Sequence, residues 1–231
     1  MSIAHNLEMV RDRIAAAAKR AGRDPAAVKL VTVTKTIDGA GIREAVAAGA
    51  LVLGENRVQE AKEKIESLGR IASWHLIGHL QTNKAKYAVR LFDLVHSVDT
   101  IELARELDKQ AAKNGTVQDI LVEVNIAGEE QKAGVAVDDA AGLIREAAKC
   151  RNIRICGLMT MPPYSEDPEA SRPHYRKLRE LSAAIEKEGV PGVSMRELSM
   201  GMSGDFEVAV EEGATLVRVG TAIFGEREAG R

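Results

Sequence analysis

The sequence predicts an α/β fold: a single (β/α)₈ TIM barrel with an extra N-terminal helix. Short β-branched runs alternate eight times with longer helical patterns, which favours a parallel sheet. No GxGxxG motif follows the first predicted strand, so a doubly wound, dinucleotide-binding open sheet loses its main signature. A length of 231 residues suits one barrel of this kind.

The predicted strands are short and rich in valine, isoleucine and leucine. They cover residues 28–34, 51–53, 74–77, 94–97, 120–125, 153–159, 196–199 and 216–219. The predicted helices cover residues 1–20, 42–48, 58–68, 83–89, 101–113, 138–149, 169–188 and 205–212. No linker interrupts the pattern, so residues 1–231 are expected to form one domain, with the leading helix within residues 1–21 and a strand-to-helix loop at 161–173.

Composition limits the function classes. The net charge of −2 gives no reason to expect a nucleic-acid partner. No apolar run approaches the roughly 20 residues that span a bilayer, and the amphipathic start is unlike a signal peptide, which favours a cytoplasmic protein with no membrane contact. Cys150 and Cys156 form no CxxC pair and are expected to be buried near the sixth strand. No metal site is predicted.

A lysine follows the first predicted strand. Side chains alternate between the faces of a strand, so Lys35 shares the face of Val31 and Val33. If those valines fill the barrel interior, Lys35 projects into the mouth, where active sites of such barrels lie. Partial desolvation there would free the amine for Schiff-base chemistry. The alternative is a lysine that extends from the strand end into solvent.

An arginine lies inside the last predicted strand, in the sequence VRVGTAIFG. Arg218 faces opposite to Val217 and Val219, and a buried arginine needs a partner, either a ligand or a structural ion pair. Beyond the strand, Gly220 allows a phosphate to approach the backbone closely, and Thr221 adds a hydroxyl. The loops after the seventh and eighth strands of such barrels commonly bind phosphate.

The seventh predicted strand runs into LSMGMSGD at 198–205. Small residues and hydroxyls precede a helix that is expected to start near Asp205, which again is typical of a phosphate cradle. The alternative is an ordinary Ser/Gly loop that caps the helix. A nucleophile elbow is not indicated, because GxSxG is not matched.

Two more polar segments are expected at the mouth: GENR at 54–57, with Asn56, and WHLIGHLQ at 74–81. His75 is expected to be hydrogen-bonded in the barrel wall, whereas His79, past the strand end, fits a structural or a catalytic role. No glutamate lies between the two histidines, so they do not form an HExxH zinc site.

Together these segments resemble one family, the pyridoxal-phosphate homeostasis proteins (YggS/PROSC proteins), which are related to the barrel domain of alanine racemase. LSMGMSGD and VRVGTAIFG are highly specific, and the other matching stretches are VTVTKT, GENRVQE, WHLIGHLQTNK, HSVD, LVEVNI and GLMTM. The matches run from the first strand to the last. The resemblance implies a fold type III barrel that binds pyridoxal 5′-phosphate.

The resemblance also implies roles for single residues. Lys35 looks like the Schiff-base lysine, Arg218 like the arginine that faces the pyridine nitrogen, and Asn56 like the pocket asparagine. The remaining implied cofactor-binding residues are Ser199, Met200, Ser203, Gly204, Gly220, Thr221 and His79. No catalytic residue is implied.

The chain departs from some family members at Ile37, where they carry a second lysine two positions after the first. A relay of the cofactor through that lysine is therefore in doubt. Lys132 matches another family lysine, on a loop, and is a candidate secondary contact.

The resemblance implies a non-catalytic carrier that serves pyridoxal phosphate (vitamin B6) homeostasis and amino-acid balance. The alternative is a racemase-like enzyme of the same fold. Such racemases add a β-rich domain with a catalytic tyrosine, whereas this sequence ends at Arg231 and none of Tyr87, Tyr164 and Tyr175 can be placed as that base. We therefore expect a monomer whose partners are pyridoxal phosphate and apo-enzymes. A sugar-phosphate barrel enzyme is the third hypothesis, and it leaves Lys35 and Arg218 unexplained.

Overall fold

Eight parallel strands form a closed barrel, as predicted, in a computed structural model that describes residues 2–129 and 131–226. Each strand pairs with the next, and the last strand pairs with the first. A further strand of two residues, Val135–Ala136, pairs only with the strand Gln118–Asn125 and was not predicted. The strands are β1 (Lys29–Val33), β2 (Val52–Glu55), β3 (Ser73–Leu76), β4 (Leu94–Val98), β5 (Gln118–Asn125), β6 (Val135–Ala136), β7 (Ile153–Met159), β8 (Val193–Ser199) and β9 (Leu216–Val219).

Helices surround the barrel. They are α1 (Ile3–Arg20), α2 (Gly39–Ala47), α3 (Val58–Leu68), α4 (Ala85–Leu91), α5 (Ile101–Lys113), α6 (Val137–Ala147), α7 (Arg172–Glu188), α8 (Phe206–Glu211) and α9 (Thr221–Phe224). Helix α1 buries Leu7, Val10 and Ile14 at helical spacing and packs against α8 and α9. No described helix has both the length and the apolar character that a bilayer crossing requires.

Several of the differences from the predicted boundaries lie at helix starts and have local causes. Helix α2 begins three residues before the predicted start, because the Asp38 side chain accepts a hydrogen bond from the Gly41 amide and caps the helix there. The helices predicted from 83 and 169 each begin instead with a 3₁₀ turn, at Thr82–Lys84 and Pro168–Ser171. The predicted first residue, Met1, lies outside the described residues; the helix begins after Ser2.

The alternation of side chains separates two cores. A small cluster fills the barrel interior and consists of Val31, Val33, Ile77, Leu94, Leu121, Met159 and Leu216. A larger core lies between the barrel and its helices. Residues two positions from an interior residue on the same strand therefore also point inwards. This rule decides which polar side chains reach the barrel axis.

The two cysteines are half-buried, so the prediction that both are buried is wrong. Cys150 lies in the turn between α6 and β7, where the chain runs over the surface. Cys156 lies at a register shift of β7 and packs, partly buried, against the interior cluster. Neither forms a disulfide.

Candidate functional site

A cavity of about 430 Å³ opens at the carboxyl ends of the strands. The structure brings eight of the ten predicted cofactor-binding residues to its lining. They are Lys35, Asn56, His79, Ser203, Gly204, Arg218, Gly220 and Thr221. These residues come from five separate strand ends, so the closed barrel is what brings them together.

Ser199 and Met200 do not line this cavity. Ser199 faces the interior but is fully buried, and its hydroxyl is bonded to His96 and Arg218. Met200 points the opposite way, into the core between barrel and helices. Neither side chain lines the cavity, and the roles that the resemblance implies for Ser199 and Met200 stay predictions.

Lys35 stands at the rim. Its strand neighbours Val31 and Val33 lie in the barrel interior, as the alternation predicts. The lysine itself is exposed, so the expected partial desolvation is not provided by the protein alone. It is the single lysine in the lining among the residues that the structure describes.

Arg218 reaches the same cavity from below and is only 3% exposed. It donates to Ser199 Oγ at 2.5 Å and to the Thr160 carbonyl oxygen at 2.9 Å. Within the described residues these hydrogen-bond partners are neutral oxygens, and the carboxyl groups of Glu123 and Asp205 act on the guanidinium through charge without a salt-bridge contact. Burial lowers the pKa of the guanidinium. A guanidinium has five N–H donors, which leaves donors for a ligand.

A buried chain of hydrogen bonds continues behind Arg218. Ser199 Oγ lies 2.8 Å from His96 Nδ1, and His96 Nε2 lies 3.0 Å from His75 Nδ1. The prediction that His75 is hydrogen-bonded in the barrel wall is confirmed. Because Ser199 Oγ already accepts from Arg218, its hydroxyl donates to His96 Nδ1, and the His96 Nε2–H then donates to His75 Nδ1.

Both histidines are neutral at pH 7. Burial lowers the pKa of His75 to about 4. Burial, with smaller contributions from His75 and Arg218, also holds the pKa of His96 well below its ordinary value. The chain behind Arg218 therefore fixes its position without adding positive charge to the barrel interior.

Glu123 on β5 is the second buried charge-bearing group of the interior. It is 3% exposed, and burial raises the pKa of its carboxyl to about 7, with Asp99 adding to the rise and Arg218 opposing it. Sequence reasoning missed both Glu123 and His96. Each lies two positions after an interior leucine, Leu121 and Leu94, so the alternation that singled out Lys35 would have found them.

The loops after β8 and β9 are tied together beside the cavity. Ser203 Oγ accepts hydrogen bonds from the amides of Gly220 at 3.3 Å and Ala222 at 3.4 Å. Asp205 holds the first loop, since its carboxylate accepts from the Met202 amide at 2.7 Å and from the Tyr175 hydroxyl at 2.6 Å. The result is a rigid rim of backbone amides and hydroxyls, which suits an anionic group.

The loop after β7, the strand next to β8, also borders the cavity, as its predicted place near the active face suggests. Its residues Met161, Pro163, Tyr164 and Ser165 line the cavity, and Tyr164 is 89% exposed. Sequence reasoning did not assign these residues, because nothing in a proline-rich loop reveals which side chains turn towards the barrel.

The lining fits pyridoxal phosphate in its chemistry. An amine at the rim suits an aldehyde, a buried guanidinium suits a ring nitrogen, and the amide and hydroxyl rim suits a phosphate. Where a Cβ on Gly204 would lie, no atom is within 4 Å, so the rim has room at that point. Among the described residues, no group of three histidine, cysteine or acidic side chains is arranged to hold a metal.

The barrel, with a lysine at the first strand end and an arginine in the last strand, defines a protein of the alanine racemase barrel class; residues 3–228 match the family described as alanine racemase, N-terminal domain. Within this class, the chain belongs to the family of the pyridoxal phosphate homeostasis proteins. It is 48% identical to the pyridoxal phosphate homeostasis protein of Aquifex aeolicus over 99% of this chain and 100% of that one.

Solved structures include proteins with a similar fold. PipY of Synechococcus elongatus with pyridoxal phosphate bound is 36% identical, covers 97% of this chain and 100% of its own, and has a TM-score of 0.85. Alanine racemase of Clostridium difficile has a TM-score of 0.75 at 15% identity over 99% of this chain and 57% of its own, which is a likeness of fold alone.

Proposed function

We propose that the protein binds pyridoxal 5′-phosphate, holds it as a Schiff base on Lys35, and serves the homeostasis and delivery of this cofactor and thereby amino-acid balance. The observation that carries the proposal is the convergence of Lys35, Arg218 and the tied rim of Ser203 and Gly220 on one cavity. The name of the Aquifex relative and the cofactor in PipY support it.

Each residue has a distinct task. The neutral form of the Lys35 amine attacks the aldehyde; a C=N bond forms and one water leaves. With the cofactor in the cavity, Arg218 would face the ring nitrogen, and the hydroxyls of Ser203 and Thr221, beside the close backbone at Gly220, would hold the phosphate. When bound, the cofactor supplies an electrophilic carbon and an electron-withdrawing ring.

We infer that the protein is a carrier without a catalytic cycle of its own. An arginine stays charged in proteins, so a ring nitrogen facing Arg218 would stay unprotonated and the ring would be a poorer electron sink, which slows carbanion chemistry without excluding it. The neutral histidines behind it do not change this. Apo-enzymes that need pyridoxal phosphate are the proposed recipients. Two unbridged cysteines fit the reducing cytoplasm, where we expect the protein to work as a monomer.

Reduction of the loaded protein with borohydride tests the attachment directly. We expect the reduced cofactor on the peptide that contains Lys35, because this is the described lysine that lines the cavity. Peptide mapping by mass spectrometry identifies the labelled residue. No label, or a label only on another lysine such as Lys132, would refute the attachment.

A racemase-like enzyme is the second candidate, and Tyr164 is the observation that favours it, since its exposed side chain lines the cavity. With Arg218 at the ring nitrogen, we expect the loaded protein to form no D-alanine from L-alanine above a control without protein. Chiral chromatography measures the product. Turnover that depends on Lys35 and Tyr164 would establish the enzyme instead.

A further inference from the structure

The backbone around Lys35 adopts a turn that its residue types do not favour. The Thr34 carbonyl accepts a hydrogen bond from the Ile37 amide at 3.0 Å, so Lys35 and Thr36 are the two central residues of the turn. Thr36 has a φ of 63°, and no other non-glycine residue in the described parts of the chain has a positive φ. Such a conformation is rare for a β-branched residue and persists only where surrounding contacts enforce it.

Helix α3 supplies those contacts from the outer side of the barrel. Lys64 Nζ donates to the Thr34 carbonyl oxygen at 2.6 Å and to Glu60 Oε1 at 2.6 Å. The same Glu60 oxygen accepts from the Thr36 amide at 2.5 Å. Lys64 and Glu60 therefore hold one backbone group on each side of Lys35. We call these two side chains the α3 clamp.

A buried carboxylate anchors the clamp. Glu55 at the end of β2 is fully buried, and its Oε1 accepts from Lys64 Nζ at 2.8 Å and from the Thr34 hydroxyl at 2.6 Å. Burial raises the pKa of Glu55, and the bonds from Lys64 and Thr34 oppose that rise. The Lys64 side chain is 12% exposed, so solvent screens these charge-assisted bonds less than it screens a surface ion pair.

We propose that Lys64 and Glu60 are positioning residues for Lys35, which impose the strained turn so that the amine is presented to the cavity in one orientation. The inference rests on the proposed function, because it concerns the capture of the cofactor aldehyde by that amine. A purely structural clamp predicts that its loss lowers stability alone. A positioning clamp predicts weaker covalent capture in a protein that remains folded.

Glu60→Ala is the decisive variant, with Glu66→Ala as its matched control on the same helix. Glu60→Ala removes the acceptor of the Thr36 amide but keeps the Lys64–Glu55 pair, so we expect it to fold. Glu66 forms only an exposed ion pair with Lys62, at 3.6 Å. The loss of a hydrogen bond to a charged group should weaken pyridoxal phosphate capture by at least about tenfold relative to the control.

Two ligands separate positioning from general damage. Pyridoxal phosphate reports capture through its absorbance, and pyridoxine 5′-phosphate, which has an alcohol in place of the aldehyde, reports the rest of the pocket. We expect Glu60→Ala to bind pyridoxine 5′-phosphate as the control does. If Lys64→Met folds, it should show the same loss of capture as Glu60→Ala when it is compared with its control, Lys62→Met. Lys64→Met leaves Glu55 buried without a cation, so it is the variant more prone to unfold; if it does, Glu60→Ala alone decides the question.

Each outcome has a separate meaning. Equal capture by Glu60→Ala and Glu66→Ala overturns the positioning role while leaving the carrier intact. If folded Glu60→Ala binds both ligands more weakly, and to the same extent, the positioning role is also overturned in favour of a structural role. If the wild-type protein binds pyridoxine 5′-phosphate but captures no pyridoxal phosphate, the proposed function itself fails.

Discussion

Replacing Lys35 with alanine should abolish the visible absorbance that pyridoxal phosphate acquires on the protein. The reason is that Lys35 provides the one lysine amine in the cavity lining of the described residues, so no neighbour can form the C=N bond in its place. Arg218 and the rim at Ser203 and Gly220 remain, so the variant should still bind pyridoxine 5′-phosphate.

The same variant should lose most of the stabilisation that pyridoxal phosphate provides. A ligand at about 100 times its Kd stabilises the folded state by about 2.7 kcal/mol, and this gain shrinks as the Kd rises. Thermal unfolding with and without pyridoxal phosphate measures it. Lys62→Ala on the exposed surface of α3 is the control. A Lys35→Ala protein with the wild-type spectrum would remove the basis of the Schiff-base assignment.

Replacing Glu123 with glutamine should stabilise the protein above pH 7, by up to about 3 kcal/mol. Burial first, and then Asp99, raise the pKa of the Glu123 carboxyl to about 7 from its ordinary value of 4.5. The folded protein thus holds this proton more tightly than the unfolded chain does. Stability from this group is present below pH 4.5 and is lost as the pH rises to about 7.

Glutamine stays neutral at every pH, so the variant escapes this loss. The difference in unfolding free energy between Glu123→Gln and wild type should therefore grow from pH 4.5 to pH 7 and then stay constant. Urea unfolding at several pH values measures it, with the exposed Glu63→Gln as a control. A difference that is independent of pH would show that the folded and unfolded proteins hold the Glu123 proton equally.

His75 changes the unfolding free energy of the wild-type protein with pH in the direction opposite to Glu123. Its folded-state pKa of about 4 lies below its unfolded value of 6.5, so the unfolded chain binds more protons between these values. His75 therefore lowers stability as the pH falls from about 6.5 to 4. In the wild-type profile the two effects partly cancel, and only the difference between variant and wild type isolates Glu123.

Local sequence patterns predicted the barrel and the side chains whose direction follows from the alternation along a strand. The strand at Ile153–Met159 and the helix at Ile101–Lys113 have their predicted boundaries, because apolar periodicity and capping residues act over a few neighbours. The same alternation directs Lys35 and Arg218 towards the cavity. The family resemblance, which covers nearly the whole chain, then indicated the cofactor that this lysine and this arginine would bind.

Only the tertiary structure decided how the site is supported. The side chains that hold the backbone on either side of Lys35 lie far away in the chain: Glu60 is 24 residues from Thr36, and Lys64 is 30 residues from Thr34. His96 likewise meets Ser199 across 103 residues. The same packing turned Met200 away from the cavity. Hydrogen bonds and burial depend on which strands and helices become neighbours, and barrel closure determines that for the chain as a whole, whereas a local pattern specifies only a residue's own strand and face.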